Sequence, residues 1–422
     1  MPDNHGTKGS LGISRDIRDA GHKIAIFQYE WPLQVHTLYL AGALAASGYE
    51  VELFLKGCPS EFVNRRAFAP KSGVWVFDFP NGSEGDSLYG KIRNRTIDLL
   101  TSARQRLRYF PIQDGVVEKS LTLLQGRYQC FIGVEKKGLI WASKAAASKN
   151  APYLYYSLEL YLEDHPTFEN TQNFKLLRNA EIMAHRGAKA TIIQDEARAE
   201  VLFRHNDSAT DIIIFPISLP NRENQARSDF LQTKYDISER NKIILYFGML
   251  GEGRLSTELA KQKEHMPPNT VLVLHGQGDK KFLTDLRRQY HGGNLIVSCE
   301  MIPEEKLPDL IASAHIGLAF YRDSCSNDRL SAFSSEKVAM YLREGLPVVS
   351  FNIGNYPNLV HSYRCGELID KLEELPSAVT RIFESYDKYS KGSSNAFRDL
   401  FHYQRNFVRL EKYIRGLRSN ER

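Results

Sequence analysis

The chain lacks the sequence features that mark membrane-spanning, disulfide-rich and metal-binding proteins. No stretch of its 422 residues approaches the roughly 20 consecutive apolar residues that a membrane-spanning helix needs. Its five cysteines are odd in number and have no metal-ligand spacing. They are Cys58, Cys130, Cys299, Cys325 and Cys365. We predict buried free thiols in a reducing, cytoplasmic protein.

An excess of charge of one sign is also lacking. The 55 Lys and Arg residues against 50 Asp and Glu residues give a net charge of +5, too small to predict nucleic-acid binding, and no DNA- or RNA-binding motif is present. Hydrophobic residues at 42% and charged residues at 25% are typical of a globular protein. The length exceeds that of one ordinary core and predicts two domains of roughly 200 residues each.

Short apolar runs alternate with helix-like spacing along most of the chain. In the first half, strands are predicted at residues 24–27, 51–55, 74–77, 130–134, 153–156, 190–194 and 212–215. In the second half they are predicted at 242–247, 270–274, 295–299, 316–320 and 348–350. Helices between successive strands imply parallel pairing. The pattern therefore predicts an α/β protein of two doubly wound, Rossmann-like domains facing a central cleft, where such sheets bind ligands.

Breaks in this pattern predict the domain boundaries. The polar N-terminus, residues 1–20, is expected to be a disordered leader without a signal-peptide core. The expected parts that follow are an N-terminal domain (21–218), a polar linker (219–240), a C-terminal domain (241–395) and a closing amphipathic helix (396–422) that packs back on the N-terminal domain.

A capped helix near residue 335 is the strongest candidate for a ligand site. Ser334 or Ser335 can cap a helix that ends at Gly345. Lys337 lies in its first turn, where the helix dipole disfavours a cation unless an anion is nearby. A capped helix N-terminus with a lysine is suited to bind phosphate.

Glycine-bearing loops follow two strands of the second half. Gly248 and Gly276 would let the backbone approach a ligand, although each is equally compatible with a plain tight turn. Arg254, before a predicted helix, could clamp a pyrophosphate, or it could be a solvated loop residue.

The first half offers two candidates for contact with substrate. Glu159 follows the strand at 153–156 and could orient a hydroxyl group or act as a base; an exposed or capping carboxylate is the alternative. His36, after the first strand, could bind an acceptor or phosphate, or be uninvolved. Asp195 is predicted to be a helix N-cap.

Basic residues interleave with apolar ones in the segment 91–110. Such a helix can lie on an anionic membrane surface, but a solvated charged face is the alternative. The first interpretation makes the protein peripheral on the inner face of the membrane.

From residue 22 to residue 417 the chain resembles the GT-B glycosyltransferases, specifically the large retaining group classed as family four. The resemblance depends on five groups of residues taken together. These are Ser335-x-Lys337 with Gly345-Leu346-Pro347-Val348-Val349, the segment 354–360 with Cys365-Gly366, Tyr246-Phe247-Gly248 with Arg254, the segment 156–161, and Gln194-Asp195-Glu196 with Arg198.

The resemblance implies a nucleotide-sugar donor, UDP-linked, on the second domain and a glycan or lipid-linked acceptor on the first. It implies no metal or other cofactor, because Lys337 and Arg254 would neutralise the diphosphate as it leaves. It also assigns Ser335 to the phosphates, Asn358 and Leu359 to the nucleotide, and Glu159 and His36 to the acceptor side near the transferred hexosyl or N-acetylhexosaminyl unit. The implied setting is polysaccharide or glycoconjugate biosynthesis.

Two positions depart from the family pattern. The family usually has two glutamates separated by seven residues, and here those positions are Ala332 and Met340. Glu336 and Glu344 are out of register with that motif. Met249 occupies the position of an expected arginine, and Arg254 is taken to replace the neighbouring lysine.

These departures leave two alternatives beside the transferase. One is a nucleotide-sugar epimerase of the same architecture, which needs no acceptor. The other is a catalytically degenerate GT-B subunit that scaffolds an active partner.

Overall fold

The computed structural model describes residues 23–29, 35–56, 73–79, 114–166, 171–222 and 226–417. The predicted leader (1–20) and the basic segment 91–110 lie outside these residues. Among the residues described, no helix is both long and apolar enough to cross a bilayer.

The described residues of the first half form a parallel sheet of seven strands in the order β3-β2-β1-β4-β5-β6-β7. Its strands are β1 (Lys23–Gln28), β2 (Glu50–Lys56), β3 (Val74–Phe79), β4 (Cys130–Val134), β5 (Tyr153–Tyr156), β6 (Ala190–Ile193) and β7 (Asp211–Ile214). Its helices are α1 (Val35–Ala46), α2 (Asp114–Leu123), α3 (Glu135–Lys149), α4 (Gln172–Arg186) and α5 (Glu196–Asn206).

The second half, as far as it is described, forms a parallel sheet of six strands in the order β10-β9-β8-β11-β12-β13. The strands are β8 (Lys242–Phe247), β9 (Thr270–His275), β10 (Leu295–Ser298), β11 (Ile316–Leu318), β12 (Val348–Phe351) and β13 (Gly366–Ile369). The helices, with α6 preceding β8, are α6 (Phe230–Tyr235), α7 (Ser256–Lys261), α8 (Lys280–Tyr290), α9 (Leu307–Ala312), α10 (Ser326–Arg329), α11 (Glu336–Arg343), α12 (Tyr356–Tyr363), α13 (Leu375–Glu384), α14 (Tyr386–Ala396) and α15 (Tyr403–Gly416).

Both sheets are covered by helices on their two faces. Every residue of β4 and of β9 is buried for this reason, and both strands are short apolar runs rather than alternating ones. The prediction of two doubly wound α/β domains is confirmed, and all observed pairs within the two sheets are parallel.

The end of the chain returns to the first sheet. Gln129 donates to the carbonyl oxygen of Ile414 on α15 (2.7 Å), and the Tyr413 hydroxyl donates to Asp211 on β7 (2.8 Å). The polar segment predicted as linker contains α6, whose Gln232 donates to the Ser313 carbonyl oxygen (3.3 Å). That helix therefore packs against the second domain.

Candidate functional site

Helix α11 begins with the geometry expected from the sequence. The Ser335 hydroxyl accepts the N–H of Val338 (3.4 Å) and also contacts the Tyr321 hydroxyl (2.7 Å). The helix ends at Arg343, and Gly345, just beyond its C-cap Glu344, adopts a φ of +69°. In the described part of the structure, the backbone N–H groups of Glu336 and Lys337 have no acceptor. They remain available to an incoming anion.

Lys337 is a partly buried cation that lies between two aromatic rings. Its Nζ is 4.6 Å from the ring centre of Tyr246 and 4.8 Å from that of Tyr321. No carboxylate or other acceptor among the described residues forms a hydrogen bond or ion pair with it. Burial lowers the pKa of Lys337 to about 7, and Arg254 contributes in the same direction. An anion at this position would restore the full charge of the ammonium group.

A polar cavity of about 320 Å³ lies between the two domains and is lined by Tyr321, whose ring contacts Lys337. Glu159, Tyr161 and His165 line it from the first domain. The second domain contributes Arg254, Tyr321, Asn327, Asp328, Ser331, Ser334 and Ser335. We call this space the cleft cavity. Glu159, Arg254 and Ser335, three of the candidates from the sequence, therefore meet here.

A second cavity, of about 270 Å³, opens at the carboxyl ends of β8, β9 and β10. Its lining is mostly apolar and includes Phe247, Met249 and Met301, with both methionines exposed at 63% and 80%. We call it the apolar cavity. Gly248 lines it, and a Cβ atom on Gly248 would lie 3.2 Å from Nζ of Lys337, which places that cation beside the cavity wall.

Gly248 and Gly276 bring two strand-end loops into backbone contact. A Cβ atom on Gly276 would lie 1.5 Å from the carbonyl oxygen of Gly248, so no other residue fits without moving the loop. Gly248 itself adopts a φ of +143°. The close contact forms the wall of the apolar cavity, so these glycines shape it.

Glu135 is a residue of the site region that the sequence reasoning missed. It directly follows β4 with a φ of +59°, unusual for a residue other than glycine. Its carboxylate accepts the N–H groups of Leu158 (2.8 Å) and Glu159 (2.9 Å) and so holds the loop that bears Glu159. Burial raises the pKa of Glu135 to about 7, with a further contribution from Glu159. A charged residue directly after the buried run of β4 was the available sequence signal.

Arg198 connects the two domains at the base of the cleft. Its buried guanidinium group donates to Leu158 of its own domain (2.9 Å) and, across the cleft, to Asn327, Leu330 and Ser334 (3.1, 3.1 and 2.9 Å). Its Nε has no partner, and no carboxylate in the described residues lies within ion-pair distance. Asp195 is confirmed as the N-cap of α5. Its carboxylate also accepts a hydrogen bond from the side-chain amide of Asn355 in the second domain (3.0 Å).

His36, Asn358 and Leu359 do not line either of these cavities. Burial lowers the pKa of His36 to about 4, so the ring is neutral at pH 7; its Nε2 lies 4.0 Å from a Glu336 carboxylate oxygen. On α12, Asn358 is exposed and the Leu359 side chain is fully buried in the core.

No protein-family model and no curated protein sequence matches the chain. Among solved structures, HepE of Anabaena in complex with UDP and glucose superposes with a TM-score of 0.65 at 16% identity, over 93% of this chain and 99% of that one. Sucrose-phosphate synthase from Thermosynechococcus elongatus has a TM-score of 0.62 at 14% identity, over 94% and 98%. WaaG, a glycosyltransferase involved in lipopolysaccharide biosynthesis, has 0.57 at 15% identity, over 94% and 99%.

The chain has the GT-B fold. The fold class predicted from the sequence, including the cleft between two domains, is thereby confirmed. Identities this low establish the fold alone, so the chemistry depends on the residues in the cleft.

Within the GT-B cleft, the residues described include no group of three or more His, Cys, Asp or Glu side chains arranged to hold a metal ion. Met340, at the position of the expected glutamate, is 9% exposed and belongs to a buried hydrophobic cluster with residues of both domains. Lys337 and Arg254 therefore have no hydrogen-bond or ion-pair partner for their charged groups among the described residues, and Met340 leaves no carboxylate at its position.

Proposed function

We propose that the protein transfers a hexosyl or N-acetylhexosaminyl unit from a UDP-sugar to a glycan or lipid-linked acceptor, in polysaccharide or glycoconjugate biosynthesis. One observation carries this proposal: Lys337, a cation with no acceptor among the described residues, lies between Gly248 of the apolar cavity and Tyr321 of the cleft cavity. A nucleotide sugar has a matching order of groups: an apolar base, then a charged diphosphate, then a polar sugar. HepE, with the same fold, has been solved with UDP and with UDP-glucose.

The apolar cavity is where the nucleoside would bind. Open parallel sheets bind ligands beyond the carboxyl ends of their strands, which is where this cavity lies at β8, β9 and β10. The adaptable side chains of Met249 and Met301 offer a base the soft contacts that methionine makes with aromatic rings.

The diphosphate would lie against Lys337, Arg254 and the start of α11. Arg254 is exposed and its guanidinium group has no partner in the described residues, so its donors are free to bind phosphate oxygens. With the unpaired N–H groups of Glu336 and Lys337, these positive groups would stabilise the charge that develops on the leaving diphosphate. This arrangement accounts for a reaction without a metal or other cofactor.

The cleft cavity would hold the transferred sugar. Glu159 is the first-domain carboxylate that lines it, and we assign it to the sugar and the acceptor hydroxyl. His36, being neutral, would contribute a hydrogen bond rather than charge on the acceptor side. Asn358 and Leu359 would act on the nucleotide only through the position of α12. Retention of configuration is proposed from the fold resemblance.

The proposal is tested by incubating the purified protein with a panel of UDP-hexoses and UDP-N-acetylhexosamines, with and without glycan and lipid-linked acceptors. We expect transfer that needs both a donor and an acceptor and leaves UDP. An epimerised donor in the absence of acceptor would instead identify an epimerase. The absence of both turnover and donor binding would contradict both enzymes and favour the scaffold, consistent with the buried Met340.

The cytoplasmic location and the membrane contact through 91–110 are part of the same proposal. A lipid-linked acceptor would place the reaction at the inner face of the membrane, where a basic amphipathic segment adds electrostatic affinity. Sedimentation with anionic vesicles, with wild type and with a variant neutralised at Arg104, Arg106 and Arg108, measures that contribution.

A further inference from the structure

A third cavity, of about 780 Å³, lies at the amino ends of the strands of the second sheet, opposite the end that faces the cleft. Its walls include Lys242 at the start of β8, Thr270 at the start of β9 and His315 just before β11. The length of β8 separates this end of the sheet from the apolar cavity: its six residues span about 17 Å, at roughly 3.3 Å per residue. The proposed donor site therefore neither includes nor explains this cavity. We call it the distal cavity.

Cations outnumber carboxylates in the lining of the distal cavity. Arg227, Arg240 and Lys242 line it, and Glu384 is the one carboxylate among the lining residues. The Arg240 and Lys242 side chains are exposed and form no hydrogen bond or ion pair with any residue in the described ranges. Two unpaired cations at one cavity attract an anion.

Two further donors at the cavity, Arg227 and His315, are fixed by hydrogen bonds that involve the backbone. Arg227 donates to the Ala314 carbonyl oxygen (2.8 Å) and to the Tyr386 hydroxyl (3.3 Å), which itself donates to the His315 carbonyl oxygen (3.1 Å). Nδ1 of His315 accepts the N–H of Ile243 (3.0 Å), so the neutral ring carries its proton on Nε2. Burial, with Arg227 and Lys242, lowers the pKa of His315 to about 3, which keeps the ring neutral and Nε2 a donor.

One part of the wall is apolar and aromatic. Phe383 and Tyr386 lie in near-parallel planes with ring centres 6.2 Å apart, and Pro267 and Pro268 line the same space. Ring faces of this kind bind the flat apolar surfaces of bases and sugars. A cavity of this volume is in the range that holds small metabolites.

We propose that the distal cavity is a second small-molecule site, which binds a phosphate monoester carried on a ring. The phosphate would lie against Arg240, Lys242 and Nε2 of His315, and the ring would pack on Phe383 and the proline pair. The site is separate from the donor site and does not depend on the proposed transferase activity.

The test is calorimetric titration of the full-length protein with glucose 6-phosphate, UMP and inorganic phosphate. Lys337→Ala is included so that binding at the donor site is removed from the comparison. We expect at least one of the two esters to bind wild type and Lys337→Ala with equal affinity. The double variant Arg240→Ala/Lys242→Ala should weaken that binding by about tenfold or more, because each lost charge-assisted bond is strong.

Two controls make the result specific. Arg409→Ala/Lys412→Ala removes the same two residue types from an exposed face of α15 that lines none of the three cavities, and should leave binding unchanged. Phe383→Leu should weaken binding of the ester but not of inorganic phosphate. The proposal is overturned if neither ester binds, if both double variants weaken binding equally, or if binding is lost in Lys337→Ala.

Discussion

At the scale of single residues, the protonation of Lys337 connects the structure of the site with the binding of a diphosphate. Its ammonium group is partly buried between Tyr246 and Tyr321 and has no acceptor in the described part of the chain, and burial lowers its pKa to about 7. A bound diphosphate would supply the missing negative charge and raise that pKa. The protonated fraction before binding therefore limits the affinity near neutral pH.

We expect UDP affinity to fall as the pH rises above 7. The bound complex holds the proton to a higher pH than the free protein, so binding takes up a proton in this window and weakens by up to about tenfold per pH unit. Calorimetry at pH 7, 8 and 9, in buffers of different ionisation enthalpy, measures both quantities. Lys337→Arg, which stays charged throughout, should show neither effect. A slope in that variant equal to the wild-type slope would exclude Lys337 as the titrating group.

The proposed role of Glu159 in transfer can be distinguished from a role in donor binding by a substitution. Glu159→Gln keeps the shape of the side chain and removes its charge, so we expect transfer to slow by about 10²-fold or more while UDP affinity is kept. Glu196→Gln, an exposed carboxylate at the start of α5, is the matched control. Steady-state rates at saturating donor give the comparison. Equal rates in wild type and Glu159→Gln would remove this residue from the chemistry.

At the scale of elements, α5 holds the loop bearing Glu159 and the segment before α11 in one arrangement. Arg198 bonds to Leu158, Asn327, Leu330 and Ser334, residues that neighbour the cleft cavity on both sides. A buried network of this kind stabilises the contact between the two domains only while most of its donors and acceptors are paired.

Arg198→Lys should therefore weaken the contact between the two domains while preserving the positive charge. Lysine cannot match the planar fork of donors, and the acceptors left unpaired cost about 1 to 3 kcal/mol. We expect a lower free energy of unfolding in urea, a larger radius of gyration by X-ray scattering and a lower rate of transfer. Arg204→Lys, on the exposed face of the same helix, is the control. An unchanged radius of gyration together with an unchanged rate would show that Arg198 is not a clamp.

Local patterns predicted most of the elements, because strands buried on both faces are distinct in sequence. The runs at 130–134 and 153–156 match β4 and β5, and Asp195 caps α5 as expected. Long-range contacts could not be predicted in this way. The bonds of Arg198 to the second domain reach residues more than 120 positions away, and the contact from Glu135 to the 158–159 loop depends on how β5 pairs with β4.

At the scale of the whole molecule, two doubly wound sheets present their carboxyl ends to a shared cleft. The fold brings Glu159 from one sheet to Arg254 and Ser335 from the other around one cavity. Met249 and Met340 show that the fold and this cluster persist although two expected charged groups are replaced by apolar ones. Under the proposed function, donor binding would depend mainly on Lys337 and Arg254.

Titration of the protein with UDP, by calorimetry at pH 7, tests this dependence most directly. We expect one site of micromolar affinity in wild type, a loss of about tenfold or more in Lys337→Ala, and no change in Lys412→Ala on the exposed face of α15. No binding of UDP to wild type, or equal affinity in wild type and Lys337→Ala, would contradict it.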